Sequence, residues 1–455
     1  MERKWRRHLE EYQDTMARLY PELHVRKDYE STRNADRILS RNVTFQVTDA
    51  CNLACTYCYQ HNKGTRRMSR ETAFAFVDML LDRERTGDYI NPDISPFVII
   101  EFIGGEPFLE VGLIDEAIQY WQMRTMELQH PWATRYMVSI CSNGVLYRSP
   151  EVQRFIQKHA RHLSLSVTLD GTKELHDSCR VFPDGRGSYD LAADACKDLI
   201  DRGIDVGSKI TIAPGNIEKL SDALKFMVEF GYNEINANCV FEEGWDEGHA
   251  SELYRQMKVF SDYLFENDLE YDVFCSLYEE SAFKPLDESN LDLWCGGDGM
   301  MLSCDPDGYL YPCIRYMESS LGDEVPPIRI GHVSTGIGKS PEEAKLIHCM
   351  DCITRRSMSS DECFYCPIAE GCAWCAAYNY EVNGKLDSRA TFICPMHKAR
   401  ALGNAYFWNM YHIKHGDAER FKVYVPREWA VPIVGEEEYE WLLWLSGEPG
   451  ERVEQ

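Results

Sequence analysis

Cys51-Asn52-Leu53-Ala54-Cys55-Thr56-Tyr57-Cys58 places three cysteines in the spacing C-x3-C-x2-C. Immediately upstream, Asn42-Val-Thr-Phe-Gln-Val-Thr48 alternates as a strand does. Three thiolates on a loop that follows a strand can hold three irons of a 4Fe–4S cube and leave the fourth iron open. Zinc is the competing soft-metal reading, with His61 as a nearby fourth ligand. The next strand, Pro96–Phe102, runs into Ile103-Gly104-Gly105-Glu106-Pro107. Glycines at a strand end let a ligand come close to the backbone. Alone this is a common turn; at the strand after such a cysteine loop it is a specific signal.

Strands and helices alternate outward from this pair. Ser69 reads as an N-cap, and Ala73, Phe76, Val77, Leu80 and Leu81 follow at helical spacing. Further strands are expected at Tyr136–Cys141, Leu163–Leu169, Lys209–Ile212 and Glu234–Val240. Helices are expected at Leu113–Glu127, Ser149–His159, Tyr189–Arg202 and from Ile217 onward. Six strands separated by helices imply a parallel α/β sheet or a partial barrel, with the active site at the C-terminal strand ends.

The chain has 455 residues, enough for two to four domains at about 100–200 residues each. Lys plus Arg is 48 and Asp plus Glu is 74, so the formal charge is −26. That excludes a sequence-independent nucleic-acid binder, which needs a basic face, and suits an anionic membrane poorly. No apolar run is long enough to span a bilayer, and the charged N-terminus is no signal peptide. A cytoplasmic location is expected. There, 18 clustered cysteines point to metal or redox chemistry rather than disulfides.

A second cysteine group carries its own spacing: Cys363-x2-Cys366-x5-Cys372-x2-Cys375, then Cys394. Cys295 and Cys313 lie upstream, with Gly308 five residues before Cys313. Zinc ribbons also use paired C-x-x-C units. Residues 285–400 read as a module held by its ligands. Cys141, Cys179, Cys196 and Cys239 read as inert core residues.

Together the two groups resemble the radical SAM superfamily with a C-terminal SPASM domain. Cysteine loop, Gly-Gly-Glu-Pro and strand order resemble the first over roughly 42–240, and the seven later cysteines resemble the second. One departure is the final x2 spacing where the SPASM pattern has x3. The resemblance implies a partial (β/α)6 TIM-like barrel at 42–284 and a SPASM domain at 285–400. Extensions, largely helical, would lie at 1–41 and 401–455, the latter with a strand-like stretch at Phe421–Val425.

It further implies that Cys51, Cys55 and Cys58 ligate a cluster whose open iron is chelated by S-adenosylmethionine. Tyr57 would lie against the adenine, and Gly104, Gly105, Glu106 and Pro107 would hold the methionyl amino group. Asn143, in Ser142-Asn143-Gly144, falls where the family contacts the ribose. Ser166 opens a run to Asp170-Gly171 that resembles the family's fourth-strand stretch, and Arg180 is a candidate partner for the SAM carboxylate. Each also has an ordinary reading as a turn residue or one arm of an ion pair. By the same resemblance Cys363, Cys366, Cys372 and Cys394 would hold one auxiliary 4Fe–4S cluster, and Cys295, Cys313 and Cys375 another. Its fourth ligand is open among Cys304, Cys275, Cys349, Cys352 and substrate. The extra pair Cys349-Met-Asp-Cys352 completes a cluster, acts on a substrate thiol, or is incidental.

The implied activity is oxidative modification of a ribosomally synthesised, cysteine-containing peptide by an oxidoreductase, with thioether crosslinks as the product. The alternative is an anaerobic sulfatase-maturating type that makes formylglycine. It is weakened because Ile314, not an Asp, follows Cys313. A zinc scaffold without activity is the non-enzyme alternative. No catalytic base is assigned. The partners implied are the peptide, an electron donor such as flavodoxin or ferredoxin, and a separate leader-binding protein. Only 50 residues precede Cys51, too few for the leader-binding domain many such maturases carry.

Overall fold

The computed structural model describes residues 40–448 apart from 205, 291–294, 296, 298 and 300. Residues 1–39 of the expected extension at 1–41 and the last residues, 449–455, of that at 401–455 lie outside the described residues. β1 (Ser40–Thr48) is central and buried on both faces, as a strand flanked by parallel neighbours must be. Its Val43, Phe45 and Val47 are buried in one core with α1 (Arg70–Leu80), whose N-cap is Ser69, as expected. The Phe45 ring packs edge-on against Phe76 at 4.5 Å and on Phe102 at 5.0 Å.

The alternation continues through β2 (Phe97–Gly104), α2 (Val111–Glu127), β3 (Tyr136–Ser142), α3 (Pro150–His159) and β4 (Leu163–Val167). Two helices follow, α4 (Lys173–Cys179) and α5 (Tyr189–Asp201). β1 to β4 pair in sequence order, all parallel. β5 (Ile210–Ile212) and α6 (Leu220–Phe230) come next, but β5 does not join the ladder. The sixth expected strand is cut at Asn236 into β6 (Glu234–Ile235) and β7 (Ala237–Cys239). Ser208 occupies the cut, donating to the Glu234 carbonyl and accepting from the Asn236 amide. β7 pairs with β5, and β6 pairs with β8 (Phe274–Cys275), beyond α7 (Glu247–Glu266).

The large sheet also extends on the other side of β1. β9 (Met301–Cys304) lies parallel to it, with Val43 opposite Leu302 and Phe45 opposite Cys304. β10 (Tyr309–Tyr311), β11 (Gly331–His332) and β12 (Gly336–Ile337) add antiparallel strands. The result is an α/β fold on a mixed eight-stranded sheet, and residues 301–337 are tied into it by backbone ladders as well as by any ligands.

Five helices of eight or more residues follow: α8 (Pro341–Asp351), α9 (Ala376–Asn383), α10 (Cys394–His415), α11 (Arg427–Val434) and α12 (Glu436–Leu445). α7, for which no element was expected, packs on α10. Tyr278 stacks on Phe407 at 4.3 Å, and Gly403 lies so close that a Cβ would stand 2.6 Å from Met257 Cε. Among the described residues no helix is long and apolar enough to cross a membrane.

The strand-like stretch Phe421–Val425 forms no strand and joins no sheet. The buried amide of Asn409 replaces a partner strand, accepting from Phe421 N and donating to Phe421 O, both at 2.8 Å. Asn409→Ala orphans two backbone groups there. It is expected to lower stability by about 2 kcal/mol in a denaturant titration, the typical cost of buried polar groups left without partners.

Candidate functional site

The cysteine loop is built by close backbone contact. Gly105 N donates to Thr48 O and Glu106 N to Ala50 O, each at 3.0 Å. A Cβ on Gly105 would sit 2.3 Å from Ala50 O and 2.7 Å from Cys51 Cβ. What these glycines admit is therefore the cysteine loop itself. Glu106, buried, accepts from Phe108 N, Ser142 Oγ and Asn143 N at 3.1, 2.8 and 2.8 Å. Burial pushes its carboxyl up, and these donors oppose the rise. Both carboxylate oxygens are thus engaged in joining the ends of β2 and β3. Pro107 starts a short 3-10 turn that this carboxylate caps.

Asn143 completes the junction by donating to Asn52 Oδ1 at 2.7 Å and reaching Cys51 Sγ at 3.9 Å. From the far side, Val181 O and Cys179 O accept from Ala54 N and Thr56 N. Tyr57 makes a short hydroxyl contact to Asp170, and Arg180 donates to the same hydroxyl at 3.0 Å. Asp170, at the end of the β4 strand, is raised by burial and held down by Arg180. Ser166 faces the open side of β4, opposite Cys141 of β3.

That open side holds residues the sequence did not single out. Glu101 projects from it and accepts from Thr44 Oγ1 at 2.7 Å. Burial raises its carboxyl, with Thr44 opposing. Tyr59 feels Cys58, Arg315, Cys141 and Glu101, after burial the main influences on its phenol. Arg315 lies 5.3 Å from the Tyr59 ring and pairs with Glu242 at 3.0 Å. The alternation of β2 was the signal for Glu101: Val98, Ile100 and Phe102 are core, so Ile99, Glu101 and Ile103 face the other way. Arg315 had no such signal beyond its place two residues after Cys313. Cys141, expected as inert core, is exposed on this side, with Sγ 3.7 Å from Thr168 Oγ1. Cys196 and Cys239 are buried, and Cys179 is half-buried.

The later cysteines fall into two sets by the charges each thiol feels. Cys394 is influenced by Cys372, Cys366 and Cys363. Cys313 is influenced by Cys375 and Cys295, and the Cys313 and Cys295 sulfurs both lie within 3.6 Å of one point above Gly297. Burial raises the Cys372 thiol, yet His397, Arg389 and Arg355 outweigh it and bring it down to about 6. Cys304 is buried with its sulfur on Asp305 O, and Cys275 is buried beside Arg400. Cys349 and Cys352 are exposed at the end of α8, where Cys352 meets His348 at 3.8 Å.

All 18 cysteines are free thiols. Among the described residues no three His, Cys, Asp or Glu side chains converge closely enough to hold a single metal ion. His61 reaches Glu381 at 3.8 Å. Soft thiolates suit iron–sulfur clusters as well as zinc.

Residues 45–227 match the family model of the Radical SAM superfamily. The antilisterial bacteriocin subtilosin biosynthesis protein AlbA of Bacillus subtilis (strain 168) is 24% identical over 288 residues, 62% of this chain and 57% of that protein. The serine-type anaerobic sulfatase-maturating enzyme of Bacteroides thetaiotaomicron is 25% identical over 205 residues, 43% of this chain and 45% of that one. The chain spans less than two thirds of the length of these curated relatives. In fold it is similar to anSMEcpe with bound AdoMet, with a TM-score of 0.59 and 14% identity over 83% of this chain and 99% of that one. The cysteine loop, the Gly-Gly-Glu-Pro turn, β2 to β4 and the second half of β1 fall inside the matched residues, and on that ground residues 45–227 of the chain form a radical SAM domain.

Proposed function

We propose that this chain is a radical SAM peptide maturase that forms thioether links on a cysteine-containing peptide. The observation that carries the reading is the grouping of its cysteines into three separate sets. Cys51, Cys55 and Cys58 would hold the SAM-binding cluster in a partial barrel. Cys363, Cys366, Cys372 and Cys394 would hold an auxiliary cluster in a SPASM domain. Cys295, Cys313 and Cys375 would hold another, whose fourth coordination position would be open to a substrate thiol. S-adenosylmethionine, cleaved by one electron, supplies a 5′-deoxyadenosyl radical that takes a hydrogen atom from substrate.

The chain's own residues would do the positioning. Tyr57, Asp170 and Arg180 form one buried polar unit beside the loop, suited to orienting the SAM headgroup. The backbone at Gly104–Gly105 fixes the loop, and the Glu106 carboxylate braces it, with Oε2 accepting from Asn143 N. Glu101, Tyr59, Arg315 and Glu242 line the space between the cysteine sets, where a peptide can be gripped by polar contacts. Each link removes two hydrogens from the peptide, one as an atom and one as a proton whose electron passes to an acceptor. The longer match to AlbA favours peptide maturation over the sulfatase reading, and Ile314 beside Cys313 offers no carboxylate base.

Full-length protein reconstituted without oxygen is expected to bind about 12 irons in three four-iron clusters. Cys55→Ala is expected to bind about 8 and to form no 5′-deoxyadenosine on reduction. Gly105→Ala, which drives a Cβ into Ala50 O, is expected to do the same. Tyr57→Phe should keep the iron and weaken SAM binding about tenfold in equilibrium dialysis, a hydrogen bond to a charged group being worth about 1.5 kcal/mol or more. The substrate reading is tested by mass spectrometry of a cysteine-rich peptide co-expressed anaerobically. Loss of two hydrogens per link with blocked thiols supports thioether formation. Exchange of sulfur for oxygen at one cysteine moves the assignment to sulfatase-type maturation.

A further inference from the structure

The Cys372 sulfur sits in a pocket of cations. Arg389 donates to it from Nη2 at 2.8 Å. The same guanidinium lies 4.3 Å from the centre of the Trp374 ring, and Arg355 stands over that ring at 5.2 Å. Trp374, Arg355 and His397 are buried, and His397 gives its Nε2 to the Ala373 carbonyl at 2.9 Å. Trp374 follows Cys372 by two residues, so the indole that holds both guanidinium groups is fixed by the same turn as the sulfur.

Two features set this apart from an ordinary ion pair. The chain carries 74 acidic residues against 48 basic ones, yet Arg389 forms no ion pair with a carboxylate among the described residues. Its charge is directed at sulfur. Two guanidinium groups on one indole also repel each other, and a negative charge on the adjacent sulfur offsets that repulsion. At Cys51 and Cys375 the donors to sulfur are neutral: Leu53 N and Asn143 Nδ2 at the first, Tyr378 N at the second.

We propose that Arg389, seated on Trp374 and backed by Arg355, raises the reduction potential of the iron–sulfur cluster bound at Cys372. The inference rests on the reading of Cys363, Cys366, Cys372 and Cys394 as ligands of that cluster. One-electron reduction adds one negative charge to the cluster and its thiolates. A cation donating to a ligating sulfur stabilises the more negative state, because charge-assisted hydrogen bonds strengthen with the acceptor's charge and hydrogen bonds to sulfur set cluster potentials. Arg389 is thus a tuning residue that makes this cluster the readier electron acceptor. It takes no part in the bonds that form or break.

The test is a potentiometric titration with dithionite, followed by electron paramagnetic resonance, on the full reconstituted chain. Arg389→Gln is expected to lower the midpoint of one cluster by about 59 mV, a tenfold change in its reduced-to-oxidised ratio for one electron, with iron content and the other midpoints unchanged. Arg389→Lys, which keeps the charge but loses the planar fork, should give a smaller fall. Full iron content with every midpoint unmoved overturns the inference. If Arg389→Gln loses iron, the Lys variant decides, a lowered midpoint supporting the role and an unmoved one overturning it. Cys372→Ala with no iron lost overturns the cluster reading underneath.

Discussion

The contact on which the site depends is backbone against backbone. Gly104 and Gly105 end β2 where Thr48, Ala50 and Cys51 begin the cysteine loop, with no room between them for a methyl group. Two amide hydrogen bonds cross this contact. Glycine is required because any side chain would have to occupy the space of a carbonyl. Everything else about the loop follows from that closeness. Glu106 can reach β3 only because Gly105 has brought the turn against the loop. Asn143 can reach Asn52 and Cys51 only because Glu106 has fixed the end of β3.

The polar unit on the other side of the loop solves a different problem. A buried carboxylate, phenol and guanidinium are each costly alone and acceptable together. Asp170, Tyr57 and Arg180 come from three separate stretches, after β4, inside the cysteine loop and beyond α4. Their mutual bonds therefore close the loop against the rest of the sheet. A side-chain contact serves here too: β4 and β5 do not pair, and Asp170 Oδ1 accepts from Thr211 N at 3.5 Å.

The legible part of the sequence was the part carried by local pattern. Alternation marked β1 to β4, helical spacing marked α1, and cysteine spacing gave the groups. The rest depended on partners distant in sequence. Phe421–Val425 has strand composition, but the residue that satisfies it is Asn409 in a helix. Glu234–Val240 reads as one strand, but a serine hydroxyl at 208 cuts it in two. Cys141 reads as core from its type, and only the register opposite Ser166 shows that it faces the open side. Arg315 lies on no periodic element, and its place beside Tyr59 comes from tertiary packing alone.

The pairing of β9 with β1 has the widest consequence. Cys51 follows β1 by three residues, and Cys313 follows β10 by two. β10 pairs with β9, and β9 with β1, so a continuous ladder runs from one cysteine set to the other. A shift of one residue in that register would turn Cys304 and Leu302 out of the core and move Cys313 along the sheet. The spacing between the two sets is therefore a property of the backbone ladder. Any ligands need only fill positions that Val43, Phe45, Leu302 and Cys304 have already fixed by packing. The proposed radical chemistry between two clusters would need this kind of rigidity, because a displacement of about 1 Å between reacting groups can cost on the order of a hundredfold in rate.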